Sequence, residues 1–168
     1  MDFFEVLTTR RSIRSFLPDP VTQEERDILI KAGTLAPSAM NRQPWSFILV
    51  DQRDLLQAIA ERHPHAQFAA RAPLAIVVCA TPAEAAGGFW PQDCAAATQN
   101  ILLAARALSL GSVWCGLYPA EDRVQLMRDV LHIPEEHVPF SLIVLGRTEA
   151  RFVEAHRHNP QKIHHNIW

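Results

Sequence analysis

Three arginines and two serines lie within seven residues near the start of the chain, in the stretch RRSIRSF. Arg10, Arg11 and Arg14 have no acidic residue to pair with between positions 5 and 19. On a helix Arg10 and Arg14 would share one face, and on a turn after a helix they could converge with Ser12 around one anion. Arginine suits planar, bidentate recognition of anions, so this stretch is a candidate anion site.

The alternative for this cluster is a solvated basic face. Ile13 and Phe16 count against it, because these apolar residues would hold the segment down on the protein. A second candidate is the loop APSAMNRQPW, residues 36–45. Its amides, Asn41 and Gln43, and its two prolines could bring polar groups close to a flat ligand. Taken alone, this loop is better interpreted as an ordinary connection from a helix to a strand.

Other kinds of chemistry find less support. GSVWCG has the glycine spacing of a P-loop, but no Lys-Ser or Lys-Thr follows it. No GxGxxG follows a strand and no GxSxG is present. Cys115 has no adjacent histidine or acid, so a small buried hydrophobe is the better interpretation than a nucleophile. The histidines of the tail are more often solvated than metal-bound in such segments, and we predict no metal site.

Composition limits the class of protein. The 168 residues fit one domain, and 48% are hydrophobic and 20% charged, as in ordinary globular proteins. A net charge of -2 argues against general binding of nucleic acid or membrane surfaces. We expect no signal peptide, and the longest apolar runs are too short to span a bilayer. Three cysteines without a CxxC pattern favour reduced thiols in a cytoplasm.

Hydrophobic periodicity and capping residues predict five helices. They are Phe3–Thr9 with Asp2 as N-cap, a helix that follows a capping box at Thr22–Glu25 and weakens near Gly33, Arg53–Glu61 with Asp51 as cap, Pro91–Leu108, and Glu121–Leu131. Gly111 is predicted to stop the fourth helix. Four apolar segments predict strands, namely Ser46–Asp51, Leu74–Ala80, Ser112–Gly116 and Phe140–Gly146. This order predicts one sheet with helices on both faces.

The segment from Arg147 to Trp168 lacks a regular pattern and has few apolar residues. It cannot make a core of its own, so it is either disordered or packed on something else. Ile163, Ile167 and Trp168 favour packing. No repeat or linker divides the chain, and we predict a single domain over residues 1–168 with residues 147–168 as a C-terminal arm.

Five stretches, taken in order, resemble the FMN-dependent nitroreductase family, especially its short members. They are RRSIRSF, APSAMNRQPW, DCAAATQNILLAARAL, LGSVWCG and KIHHNIW. The resemblance covers residues from about 3 to 168. It implies an α+β, three-layer sandwich in which helices flank a central mixed sheet, and a homodimer that exchanges the C-terminal arms. It also implies two FMN molecules at the subunit interface.

The resemblance assigns roles to the arginine stretch. Arg10 and Ser12 would bind the phosphate or ribityl chain of FMN, and Arg14 would approach the N1/O2 edge of the flavin ring. A positive charge there would stabilise negative charge that develops during hydride transfer. Arg11 matches the motif and would contribute through its backbone. Lys162 falls where the family places a late basic residue on the phosphate.

The same resemblance adds residues from three further places. Gln67 would contact the pyrimidine edge of the flavin, and Cys115 and Gly116 would offer backbone N–H groups toward N5 and O4. The second loop would reach the cofactor that the partner subunit holds, through Pro37, Ser38, Ala39 and Asn41. Ala39 stands where many members carry a hydroxyl, so its contact would be through the backbone.

The implied activity is the reduction of nitroaromatics, quinones or similar small acceptors by NADH or NADPH, in a ping-pong reaction through FMN. Two alternatives stay open at this point. The fold could serve another flavin reaction, such as flavin fragmentation or reductive dehalogenation. The chain could also be a flavin- or metal-binding module without turnover.

Overall fold

The computed structural model describes all residues from Met1 to Trp168 and contains five α-helices and four β-strands. The helices are α1 (Phe3–Thr9), α2 (Gln23–Thr34), α3 (Arg53–Arg62), α4 (Trp90–Ala107) and α5 (Glu121–Leu131). The strands are β1 (Trp45–Val50), β2 (Leu74–Ala80), β3 (Gly111–Gly116) and β4 (Val138–Gly146).

Side chains cap the first two helices as the sequence predicts. The Asp2 carboxylate accepts a hydrogen bond of 3.0 Å from the Glu5 N–H at the start of α1. Thr22 and Glu25 form the reciprocal bonds of a capping box before α2. Each bond satisfies a backbone donor that the first turn of a helix would otherwise leave unpaired.

α2 continues without interruption to Thr34, so the weakening predicted near Gly33 is wrong. Gly33 is buried against α4, and a Cβ atom at this position would lie 3.0 Å from Cδ1 of Ile101. The missing side chain therefore lets the two helices approach closely, and this packing outweighs the low helix propensity of glycine.

The four strands form one sheet in the order β1-β2-β4-β3, and every neighbouring pair is antiparallel. The prediction of a mixed sheet is therefore wrong for these strands. One isolated parallel bridge, between Ser12 and Ser112, is the single parallel pairing. The helical connections return each strand in the direction opposite to its neighbour, so alternation of helices and strands does not by itself fix parallel pairing.

Two hydrophobic cores lie on opposite faces of the sheet and confirm the three-layer α+β sandwich. α3 and α5 cover one face, where they pack on Ala75, Val77 and Cys79 of β2. α2 and α4 cover the other face, against residues that include Leu74, Ile76 and Val78. Successive residues of a strand point to opposite faces, which explains why all seven residues of β2 are buried and apolar.

Two residues that the sequence assigns to helix ends have other roles in the structure. Asp51 does not cap α3, whose N-cap is Gln52. The Asp51 carboxylate instead pairs with Arg26 at 2.6 Å. Gly111 does not stop α4 but opens β3, and the chain leaves α4 at Leu108.

The C-terminal arm, residues 147–168, runs along the outside of the domain with one short 3-10 turn at Pro160–Lys162. Its first part is held by the Phe152 ring, which lies 4.0 Å from the Arg106 guanidinium. The Ala155 N–H also donates to the carbonyl of Thr8 at 2.9 Å. Every residue after Ala155 is exposed. None of the helices combines the length and apolar character needed to cross a membrane.

Candidate functional site

β3 is an edge strand, and its hydrogen-bonding pattern decides which backbone groups are free. The Ile13 N–H donates to the carbonyl of Ser112 at 3.0 Å on the outer side, and the Leu117 N–H donates inward to Phe140 of β4. Because residues of an antiparallel pair alternate between the two sides, the Gly116 N–H faces the free edge. The Cys115 N–H faces β4, where the sheet uses it. Of the two backbone donors predicted for the flavin, only the Gly116 N–H is therefore free.

A cavity of about 490 Å³ opens beside the end of β3. It is lined by Arg14, His63, Pro64, His65, Gln67, Phe68, Trp114, Cys115, Gly116 and Arg123. A second cavity of about 360 Å³ shares Arg14, Gln67 and Phe68 with it and adds Ser15, Phe16 and Arg71. The fold thus brings together four residues predicted for one site, from three separate parts of the sequence. The first cavity has the size of a small-molecule site.

The strand-like segment after α1 positions Arg14 at this cavity. Ile13 is buried and bridges to β3, and the Leu17 N–H donates to the Arg147 carbonyl at 2.9 Å. Arg14 itself is exposed and makes no ion pair. Gln67 donates its side-chain amide to the Pro64 carbonyl at 2.7 Å, which holds it at the cavity wall.

The three cysteines are buried and unpaired. Burial raises the pKa of the Cys115 thiol to about 11, although the nearby Arg14 and Arg123 charges oppose that shift. Burial likewise raises the pKa of Cys79 and Cys94 to about 12. Cys115 is therefore a neutral thiol at physiological pH, which supports its interpretation as a small buried side chain rather than a nucleophile.

The other predicted arginines occupy the end of α1. Arg11 donates to the carbonyls of Thr8 and Arg10, so its side chain closes the last turn of the helix. Arg10 makes no ion pair. Its pKa is lowered by burial and by the neighbouring positive charges of Arg157 and Arg11. Arg157 belongs to the C-terminal arm, and sequence reasoning missed it because nothing in its surroundings marks it.

The loop that carries Pro37, Ser38, Ala39 and Asn41 is built rigidly on the start of α4. The Ala39 N–H donates to the buried Asp93 carboxylate at 2.9 Å, and the Ser38 hydroxyl accepts from the Gln43 N–H at 2.9 Å. Asn41 has a φ of 54°, in the left-handed region. Neither this loop nor the exposed Lys162 lines the cavity of the same chain.

His63 and Arg123 line the cavity and were also missed by sequence reasoning. His63 is 1% exposed, and its Nδ1 accepts from the His65 N–H at 3.1 Å. Burial lowers the pKa of His63, and the Arg123 charge lowers it further. Arg123 donates to the Gly116 carbonyl at 3.1 Å. The two residues are sixty positions apart and meet only because α3 and α5 share one face of the sheet.

No group of three or more histidine, cysteine or acidic side chains is arranged to hold a metal ion. The arrangement instead offers hydrogen-bond donors. Arg14, Arg123, Gln67 and the Gly116 N–H surround the cavity, and no aspartate or glutamate lines it. Such a cavity can take a flat ligand with acceptor atoms on its edge.

Comparisons with known proteins place the chain in a family. The chain is 46% identical over 169 residues to a protein of Archaeoglobus fulgidus whose name gives it as a candidate NADH dehydrogenase/NAD(P)H nitroreductase, and the match covers 98% of this chain and 97% of that protein. A crystal structure from Parabacteroides distasonis with the same name superposes with a TM-score of 0.94 at 39% identity, and covers 98% of each chain.

A third similar protein carries the cofactor in its name. It is an FMN-dependent nitroreductase from Clostridium difficile, with a TM-score of 0.91, 28% identity, and coverage of 99% of this chain and 100% of that one. The model of the nitroreductase family matches residues 7–147. The chain belongs to the nitroreductase family.

Proposed function

We propose that this protein is an oxidoreductase that binds FMN and uses NADH or NADPH to reduce small electron acceptors such as nitroaromatics and quinones. The names of its relatives support the class of reaction. The observation that carries the proposal is the cavity at the end of β3, where Arg14, Gln67 and the Gly116 N–H converge. These donors come from separate elements, and they match the acceptor-rich edge of a flavin ring.

The residues present fit FMN at its charged end as well. Arg10 lies at the end of α1 without an acidic partner, close enough to Arg157 for each positive charge to oppose the other. A phosphate would relieve that repulsion and accept hydrogen bonds from Arg10 and the Ser12 hydroxyl. Lys162 is an exposed cation on the arm that could approach the same phosphate.

FMN, when bound, supplies the hydride and electron chemistry, and the chain supplies binding and electrostatics. Arg14 would hold positive charge where negative charge develops during hydride transfer. The Gly116 N–H is a fixed donor because β3 is held by β4 on one side and by Ile13 on the other. No side chain of the cavity needs to act as a nucleophile. We expect NAD(P)H and the acceptor to use the same space in turn, which gives ping-pong kinetics.

The proposal includes a homodimer in which the arms are exchanged. The Pro37–Asn41 loop and Lys162 do not line the cavity of their own chain, and a cofactor held between two subunits would let them contact it across the interface. An apolar groove of about 450 Å³ lies between α1, α2 and α4, with Phe3, Leu35 and Leu103 in its wall. Ile167 and Trp168 are 82% and 99% exposed, which suits an arm that packs on a partner.

The three unpaired thiols suit a reducing compartment, and we propose the cytoplasm as the site of action. The alternatives are that a protein of this fold cleaves the flavin itself or removes a halogen from its substrate. Each of these reactions gives a product that differs from that of nitro or quinone reduction. Turnover with matched nitroaromatic, quinone and halogenated acceptors separates these reactions.

The decisive experiment is the visible spectrum of the purified protein before and after anaerobic addition of NADH or NADPH. We expect a yellow protein whose flavin band bleaches with the nucleotide and returns with a nitroaromatic or a quinone. A colourless protein that takes up no added FMN would reject the proposal. A yellow protein whose flavin is reduced by neither nucleotide would instead support the alternative of a flavin-binding module without turnover.

A further inference from the structure

Arg123 stands in the cavity wall without a counter-ion. It lies in the first turn of α5, and one of its nitrogens donates to the Gly116 carbonyl at 3.1 Å. Its Nε atom is buried and has no acceptor. Arg123 takes part in none of the four ion pairs of the structure, and it does not pair with the neighbouring Asp122.

The whole cavity has a surplus of positive charge and donors. Arg14 and Arg123 both line it, and no carboxylate does. The His63 Nδ1 accepts from the His65 N–H, so a neutral ring carries its proton on Nε2, and that buried atom makes no well-formed hydrogen bond, although the Gly116 carbonyl lies close to the ring. A partly buried cation without a counter-charge is unfavourable, and a bound anion would remove that cost.

The cavity also presents aromatic surface beside this charge. Phe68 and Trp114 are half-buried members of its lining. Aromatic faces favour stacking with another ring, and a guanidinium favours a planar carboxylate through two parallel hydrogen bonds. Together they match an aromatic ring that carries an anionic substituent.

We infer that Arg123 binds the carboxylate of an aromatic electron acceptor, so that the enzyme prefers acid-bearing aromatic acceptors over neutral ones of the same shape. This inference rests on the proposed function, because the acceptor must enter the flavin cavity. The same cation could in principle meet a phosphate of NADH or NADPH. The experiment below therefore follows the nucleotide and the acceptor separately.

The first experiment uses the wild-type holoenzyme and two acceptors of nearly the same shape, one anionic and one neutral. 4-Nitrobenzoate should show a KM at least about tenfold lower than 4-nitrobenzamide, as expected for a hydrogen-bonded ion pair. Benzoate should compete with 4-nitrobenzamide, and benzamide should compete far more weakly. This comparison needs no variant, so it tests the preference for anionic acceptors even if a substitution at Arg123 disturbs the fold.

The second experiment uses Arg123→Gln, which keeps an amide donor near the Gly116 carbonyl but removes the charge. The KM for 4-nitrobenzoate should rise about tenfold or more, while the KM values for 4-nitrobenzamide and the nucleotide change far less. Arg123→Lys should recover part of the loss. Arg62→Gln is the matched control, because it removes an arginine that pairs with Asp129 on the surface, outside the cavity lining.

Three outcomes would overturn the inference. Equal KM values of the wild type for the two nitro compounds would do so while leaving the flavoenzyme intact. An equal rise of both KM values in Arg123→Gln would give Arg123 a general structural role. A rise confined to the KM for NADH or NADPH would assign the cation to the nucleotide. A wild-type protein without flavin would reject the proposed function and this inference with it.

Discussion

Arg14 is the residue whose charge is expected to act on the reaction itself. It lines the cavity and is free of any acidic partner, so no carboxylate of this chain offsets its charge toward a ligand. Arg14→Ala should lower the reduction potential of the bound flavin and slow its reduction by NAD(P)H more than it weakens FMN binding. Redox titration and stopped-flow absorbance measure these effects separately.

The conservative variant provides the control for Arg14. Arg14→Lys keeps the positive charge and should retain most of the activity and potential. If both variants lose activity equally at unchanged potential, Arg14 holds structure rather than charge.

Arg10 is expected to act on binding of the phosphate alone. A hydrogen bond to a charged group contributes about 1.5–3 kcal/mol, so Arg10→Ala should weaken FMN binding about tenfold or more. Arg157→Ala and Lys162→Ala test the two cations of the arm in the same way. Riboflavin lacks the phosphate and should bind all three variants as well as the wild type. An equal loss for riboflavin and FMN in fluorescence titrations would contradict the phosphate assignment.

His63 links stability to pH. Burial holds its pKa below the ordinary value of 6.5, so the folded protein favours the neutral ring. This contribution is present above about pH 6.5 and is lost as the pH falls toward the lowered pKa, because the unfolded chain then binds a proton more readily. The free energy of unfolding should therefore decrease below about pH 6.5, by at most about 1.4 kcal/mol per pH unit for one proton.

Urea unfolding of the wild type and His63→Gln at several pH values between 5 and 8 measures this contribution. The variant should show a flatter pH dependence over the acid part of that range. An unchanged slope in His63→Gln would mean that other groups govern acid stability.

Part of the site could be predicted at the level of residues, and part could not. Arg14, Gln67 and Gly116 were predicted to share one site, and the structure does bring them to one cavity. His63 and Arg123 could not be found in this way. Neither lies in a motif, and their meeting depends on how two helices pack on the same face of the sheet.

At the level of elements, Asp93 connects α4 to the loop before β1. Its buried carboxylate accepts from the Ala39 N–H at 2.9 Å. Asp93→Ala would leave that N–H without a partner, which costs about 1–3 kcal/mol, and would loosen the Pro37–Asn41 loop. The variant should unfold at lower urea concentration and bind FMN more weakly.

Asp93→Asn retains an oxygen that can accept the same bond, so it should recover most of both properties. Loss of stability without loss of FMN affinity in Asp93→Ala would show that the loop does not contribute to the cofactor site. Loss of both in the asparagine variant as well would point to the charge of Asp93.

Most helices and strands were predictable because local features define them. Leu74–Ala80 and Glu121–Leu131 have the predicted bounds, one from its continuous apolar run and the other from its periodicity. The direction of strand pairing was not predictable, because it depends on contacts between distant segments. The prediction that Gly111 stops α4 was wrong, because a glycine after a helix can also begin a strand. Gly111 begins β3 at a position that has no room for a side chain. A Cβ atom there would lie 2.8 Å from Ile13.

At the level of the whole molecule, the C-terminal arm is expected to join dimerisation to cofactor binding. Burial of a large apolar side chain contributes about 1.5–3 kcal/mol before ordering costs, and Ile163, Ile167 and Trp168 are all exposed on the single chain. A chain truncated after Phe152 should dissociate on dilution and retain little FMN. Phe152 is kept because it contacts Arg106 of the same chain.

Light scattering across a dilution series and flavin content per chain test this together. If dimer formation and FMN binding stabilise each other, added FMN should shift the truncated chain back toward dimer. A truncated protein that stays dimeric with a full complement of FMN would show that the arm and Lys162 are dispensable.

The open edge of β3 has a consequence for how the protein stays dispersed. An unpaired strand edge can serve as a template on which another chain adds a strand, and so lead to aggregation. Here the segment around Ile13 covers the start of that edge, and the Arg123 guanidinium occupies the Gly116 carbonyl at its end. Only the stretch of β3 between these two contacts remains open. The same two contacts that leave one backbone donor free for a ligand thus shield the β3 edge of the sheet from pairing with another chain.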